Sequence, residues 1–272
     1  MGQKKLIKFA AIKEYNNVLE FPQDMQGKWA TFFNGLKNGT SPIEITSLPS
    51  TNAIDTPKLT IELACGRGEY AVGLGRMFPN ENFIGIDLKG NRIWKGASIA
   101  NKDGLTNVAF IRSQIELTSN YFAKDEVDEI WITFPDPQLR WSKAKKRLTH
   151  PKFLRLYQQF LKKEGIVHLK TDSPLLYNFT LKVIEMYGLH LIYKTDHLYT
   201  EQNIDPRCLI KTYYEGLDIA QSSKIHYIQF NIDKILPLEL DAVLKEAIKD
   251  IPMDAGELIR MEAEAARVKK ED

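Results

Sequence analysis

The chain has 272 residues, 43% of them hydrophobic and 26% charged, with a formal net charge of +2 at pH 7. That composition suits one large globular α/β domain with extensions. It excludes a helical membrane span, because no apolar run approaches about 20 residues, and two cysteines, Cys65 and Cys208, exclude a disulfide framework or a four-cysteine zinc site.

The basic start, with Lys4, Lys5, Lys8 and Lys13, lacks the apolar core of a secretory signal and reads as a tail that is disordered or ordered by a partner. A reducing cytoplasm is the expected location. Trp29, Phe32 and Phe33 suggest a short helix packing on the domain, and residues 35–57, rich in Gly, Ser, Thr, Asn and Pro, read as loop. Residues 1–58 therefore form an N-terminal extension, partly flexible.

Residues 59–64 are short and apolar, as a buried parallel strand is. Gly66 and Gly68 follow and allow a sharp turn with close backbone approach to a ligand. A helix is expected over 69–78 and a second strand over 82–87. Asp87 falls 19 residues past Gly68, about where a Rossmann unit places the acid that holds a ribose diol. Residues 66–71 satisfy G-x-G-x-x-A, so a nicotinamide dinucleotide and S-adenosylmethionine both suit the geometry. A pyrophosphate would meet Glu62 in the strand and Glu69 at the helix start, whereas a sulfonium and an ammonium favour that acidic mouth. The same turn with no ligand simply joins strand to helix.

Further on, the pattern predicts a helix over 90–100, strands over 108–113 and 127–134, a helix over 152–161, a strand over 165–171 and a helix over 174–187 opened by Pro174. Strands over 189–199 and 225–232 lack a crossover helix and suit an antiparallel pair. Seven strands alternating with helices predict a doubly wound, mostly parallel sheet over 59–233. Residues 234–272 read as a helical C-terminal extension whose apolar face (Leu240, Val243, Leu244, Ala247, Ile248, Ile251) covers the domain or meets another subunit.

A second motif ends the fourth strand: Phe134-Pro135-Asp136-Pro137, then Arg140, Lys143, Lys145, Lys146 and Arg147. Residues 137–163 hold nine Lys/Arg and no Asp or Glu, so the rest of the chain is net acidic. One basic block on a nearly neutral protein points to a polyanion site. Ligands of open α/β sheets sit at the carboxyl ends of the strands, where Asp87, Asp136 and Asp172 all fall. Trp141, Tyr213 and Tyr214 are stacking candidates and equally good core residues.

Together, Glu62-Leu63-Ala64-Cys65-Gly66-Arg67-Gly68, the Phe134–Pro137 motif with its basic run and Arg147-Leu148-Thr149, Lys170-Thr171-Asp172, and Thr212-Tyr213-Tyr214-Glu215 resemble the bacterial tRNA (guanine-N7)-methyltransferase family over about residues 58–233, and more faintly around Gly27-Lys28-Trp29. The resemblance implies a Rossmann-like class I methyltransferase fold, S-adenosylmethionine as methyl donor and tRNA as partner, with the variable-loop guanosine at tRNA position 46 as target. It implies no metal and leaves monomer or homodimer open. Glu62, Gly66, Gly68, Asp87, Gln114 and Asp136 are the expected cofactor residues. Asp136 is the expected catalytic carboxylate, and Arg140, Lys143, Lys145, Lys146, Arg147, Asp172, Thr212 and Glu215 are expected at the RNA.

This sequence departs from the family pattern at three places. Ala64 replaces the first glycine and is expected at negative φ. Gln114 stands where an acid is common near the adenine. Gln138-Leu139-Arg140-Trp141 replaces Trp-Pro-Lys-Lys, with Arg140 in a lysine's role. A methyltransferase of another substrate, a dehydrogenase and a non-catalytic tRNA-binding subunit are the competing readings.

Overall fold

Strands and helices alternate from residue 59 onward because each apolar run of five to seven residues is cut by a glycine, proline or asparagine turn. A computed structural model describes residues 2–39, 56–213, 215 and 224–268. Its eight strands are β1 (Val18–Glu20), β2 (Leu59–Leu63), β3 (Asn82–Asp87), β4 (Val108–Arg112), β5 (Val127–Thr133), β6 (Leu161–Thr171), β7 (His190–Thr195) and β8 (His226–Asn231). They form one sheet in the order β1-β4-β3-β2-β5-β6-β8-β7. Pairings from β1 through β6 are parallel, and β8 runs antiparallel between β6 and β7. The chain leaves β2 in one direction toward β3 and β4, then returns to the other side at β5. The switch point therefore lies between the carboxyl ends of β2 and β5.

Helices α1 (Gly2–Lys13), α3 (Glu69–Met77) and α4 (Gly90–Lys102) cover one face. Ile12, Leu74, Ile93 and Ala97 meet Phe83 and Phe110 there. Helices α2 (Trp29–Lys37), α5 (Pro151–Tyr157), α6 (Pro174–Met186) and α7 (Leu240–Ala247) cover the other, where Trp29, Phe32, Leu154 and Phe179 meet Ile84 and Ile130. Adjacent residues such as Phe83 and Ile84 serve opposite faces, as the two-residue period of a strand requires. The last helix, α8, spans Ala255–Val268. No helix among the described residues is long and apolar enough to cross a membrane.

Five elements differ from the sequence pattern. The basic tail is a helix: Ile12 is fully buried, the Tyr15 hydroxyl lies 3.0 Å from Ser98 Oγ, and Lys8 Nζ sits 4.5 Å above the Trp94 ring. Beyond it, β1 adds an eighth strand beside β4, and its three residues are too few to show a period. Helix α2 runs on to Lys37, so the loop expected over 35–57 begins later; residues 40–55 lie outside those described, as does Tyr214. The helix expected over 152–161 ends at Tyr157, and β6 starts early at Leu161, where it pairs with Val127 across a register shift.

The C-terminal extension covers the domain. Leu244 and Ile248 are buried in the same cluster as Leu154 of α5 and Phe179 of α6, with Leu240 and Ile251 packed beside them. Asp241 accepts from the Tyr187 hydroxyl at 2.6 Å and pairs with Arg155. Leu244→Ala is expected to destabilise the whole domain by about 2–5 kcal/mol, read as a single shifted transition in urea; an unchanged midpoint would mean that α7 does not belong to the core.

Candidate active site

The glycine loop is built by left-handed backbone. Ala64 has φ +55°, Gly66 +57° and Gly68 +72°. The expectation of negative φ at Ala64 is corrected. Strand β2 must turn at once while Cys65 N still donates to Ile86 O on β3 at 3.0 Å, and that places Ala64 in the region glycine favours, at about 1–2 kcal/mol. Gly68 is required twice over, since a Cβ there would lie 2.3 Å from the Phe110 ring. Its place is under the loop, against β4.

Glu62 is buried beneath this loop. Its Oε2 accepts from Ala71 N at 3.0 Å and its Oε1 from the Thr133 hydroxyl at 2.8 Å, so it ties β2 to both α3 and β5. Burial pushes its carboxyl up to about 8. Asp87 closes β3, its two oxygens accepting from Gly66 N at 3.0 Å and Lys89 N at 2.7 Å. Gln114 is exposed just past β4.

These parts rim a cleft of about 430 Å³ at the switch point. Ala64, Gly66, Glu69 and Asp87 line one side, and Phe134 to Pro137, Asp172 and Thr212 the other. Lys89, Arg92 and Arg260, which the sequence pattern did not single out, line it too. The structure thus brings Gly66, Asp87, Asp136, Asp172 and Thr212 together, with Glu62 beneath them.

The Asp136 loop is strained and clamped. Phe134 and Gln138 have φ +46° and +49°. Asp136 is exposed, and its Oδ1 accepts from Gln138 N at 2.9 Å. Arg147 is fully buried; its Nε donates to Pro137 O at 3.0 Å and its Nη2 to Gln138 O at 3.1 Å. Burial pulls its guanidinium down to about 10, against the opposing pull of Glu257. Arg147 is therefore no surface phosphate ligand: its charge is spent holding the loop's carbonyls. Lys145 and Lys146 are exposed on the short turn Trp141–Lys146, and Lys143 and Arg140 are half-buried beside them. Trp141 packs against the core, with Arg147 5.6 Å from its ring.

The second rim is held by Lys170, which the sequence pattern placed in a motif without giving it a role. The signal was available: a lysine inside the apolar run of a central strand. Its side chain is fully buried, and Nζ donates to Cys208 O at 2.8 Å, Ile210 O at 3.1 Å, the Tyr199 hydroxyl at 3.0 Å and Glu215 Oε2 at 3.1 Å. Glu215 also accepts from Tyr199 and from Thr212 N, while Thr212 Oγ1 accepts from Glu215 N at 3.1 Å. The carboxylate expected at the base is thus consumed in shaping its own loop. Tyr213 stacks under Arg67 at 3.4 Å, joining this loop to the glycine loop.

The residues present suit S-adenosylmethionine. Glu69 and Asp87 line the cleft on the cofactor side, and the Glu62 carboxyl already takes the Ala71 N–H of the first turn of α3. A pyrophosphate would need such helix N–H groups for itself, so the dinucleotide alternative has no seat. Sheet order, antiparallel β8 and this cleft define a class I S-adenosylmethionine-dependent methyltransferase. A family model described as "Putative methyltransferase" matches residues 56–226. The chain is 41% identical over 262 residues to the tRNA (guanine-N(7)-)-methyltransferase of Bacteroides thetaiotaomicron, covering 93% of each chain. It is 42% identical over 263 residues to that of Bacteroides fragilis, covering 94% of each. With that of Porphyromonas gingivalis it shares 50% identity over 175 residues, 64% of this chain and 71% of that one. The chain belongs to the tRNA (guanine-N7)-methyltransferase family.

Two outcomes test the site's architecture. Lys170→Met leaves the Glu215 carboxylate buried without its cation and is expected to cost about 3–5 kcal/mol in denaturant stability; adding Glu215→Gln should recover part of that loss, and a purely additive double variant would mean the two are not coupled. Burial lifts the Glu62 carboxyl from its ordinary 4.5 to about 8, so the folded state holds its proton more tightly, and its contribution to stability falls as pH rises from about 4.5 to 8. Glu62→Gln should flatten that slope in urea midpoints taken at pH 5 and pH 8; an unaltered slope would place the titration elsewhere.

Proposed function

We propose that this chain methylates N7 of a tRNA guanosine, the variable-loop guanosine at position 46, in the cytoplasm. The observation that carries the reading is the convergence of the glycine loop, Asp136 and Asp172 on one cleft, beside the exposed Lys145 and Lys146, in a chain of this family.

S-adenosylmethionine, when bound, supplies a methyl group made electrophilic by its sulfonium. Asp87 suits the ribose, the backbone at Gly66 together with Gln114 completes the cofactor side, and the buried Glu62 carboxyl supports the loop from beneath. Guanine N7 carries an exposed lone pair at neutral pH, so the chain has no proton to remove. Its work is to hold the base in line with the methyl group. Asp172 and Thr212 are placed to accept from or donate to the guanine edge. Positive charge grows on the purine as N7 becomes alkylated, and the fixed Asp136 carboxylate stabilises it. Lys145 and Lys146, with Lys143 and Arg140, meet RNA phosphates.

His150, His168 and His226 are buried, and burial lowers their pKa values, that of His150 to about 4. They are neutral core residues, which suits a reaction without a general base.

The test is methyl transfer from labelled S-adenosylmethionine to unmodified tRNA transcript, followed by nucleoside separation. Label should lie in 7-methylguanosine and vanish when the variable-loop guanosine is replaced; label in another nucleoside would overturn the substrate assignment. Asp136→Ala should lower turnover by about 100-fold or more with S-adenosylmethionine affinity nearly kept. Full turnover in that variant would remove Asp136 from the chemistry.

A further inference from the structure

We propose that Arg260, carried on the C-terminal helix α8, is a substrate-binding residue that takes an RNA backbone phosphate on the Asp136–Asp172 side of the cleft. The inference rests on the tRNA reading above.

The argument starts from how α8 is seated. Asp254 Oδ1 accepts from Glu257 N at 2.7 Å and Glu257 Oε2 accepts from Asp254 N at 3.3 Å, a reciprocal cap that starts the helix. Glu257 is 2% exposed, and the same carboxylate accepts from Leu175 N at 3.1 Å and from the Ser173 hydroxyl. Those are the first groups of α6, immediately after Asp172. One side chain therefore caps two helices and fixes α8 to the strand end that carries Asp172.

Arg260 follows Glu257 by three residues, on the same helix face. Leu258 and Ile259, at 43% and 67% exposed, face outward. Arg260 is half-buried and lines the cleft with Asp136, Asp172 and Thr212. Among the described residues no hydrogen bond or ion pair occupies its guanidinium. A cation held at the mouth of an acid-lined cleft, without a partner and on a rigid anchor, is suited to a charged group that arrives with the substrate. A phosphate matches the guanidinium fork. The position favours the nucleic acid over the cofactor, because α8 is seated at the end of β6, beyond β5 from the glycine loop of β2.

The experiment compares wild type, Arg260→Ala and Arg260→Lys in the full chain. It measures tRNA dissociation constants across a salt series, S-adenosylmethionine affinity by calorimetry, and thermal unfolding. Arg260→Ala should weaken tRNA binding about tenfold and shallow the salt slope by about one, with cofactor affinity and unfolding unchanged. Arg260→Lys should recover the slope and only part of the affinity. Weakened cofactor binding with tRNA binding unchanged would overturn the proposal and assign Arg260 to the cofactor carboxylate. A wild-type salt slope in Arg260→Ala would also overturn it, as would a lowered unfolding temperature in both variants. If wild type itself neither binds nor methylates tRNA, the parent reading fails instead.

Discussion

Lys170 has its ammonium inside the protein, and the cleft depends on how that charge is satisfied. Removing a charge from water costs several kcal/mol unless every donor finds an acceptor. Two carbonyls, a tyrosine hydroxyl and Glu215 meet this one. All of them belong to the segment after β7, where Leu198 and Cys208 are buried while Leu209 is 51% exposed. A polar anchor there adds to the hydrophobic packing of Leu198 and Cys208. On the opposite rim the buried Arg147 guanidinium, through Nε and Nη2, holds the carbonyls of a loop that carries two left-handed non-glycine residues. Each rim is thus fixed from behind by a cation withdrawn from solvent, which leaves Asp136 and Asp172 facing the cleft on rigid supports.

That arrangement suits a reaction in which little covalent chemistry falls to the protein. A nucleophile with a free lone pair and an activated methyl group need alignment more than proton transfer. Rigid loops supply alignment. On the proposed reading they also keep the Asp136 carboxylate fixed where positive charge develops, without reorganisation at the moment of transfer.

Much of this is legible in the sequence. The strands from β2 onward, the glycine loop, Asp87 and the Asp136 motif follow from apolar period, turn residues and the carboxyl-edge rule. Other features were hidden for physical reasons. Three-residue β1 has no period to read. Charge is visible in a sequence but burial is not, so Arg147 and Glu215 looked like ligands although both are consumed inside the protein. Arg260 lies 88 residues beyond Asp172 in the sequence, and only the Glu257 cap brings them to one cleft. At Ala64, steric preference argued for negative φ, and the demands of the β2–β3 ladder won.

The burial of the Lys170 anchor has a consequence for how the protein meets salt. Counterions screen charges that face water and hardly reach those that do not. On the proposed reading, salt that strips RNA from Lys145 and Lys146 leaves the bonds around Lys170 and Arg147 intact. Occupancy by RNA and integrity of the cleft are therefore separable properties of the same molecule. Ionic strength sets how often the cleft is filled, and dilution returns an assembled protein to work without a refolding step.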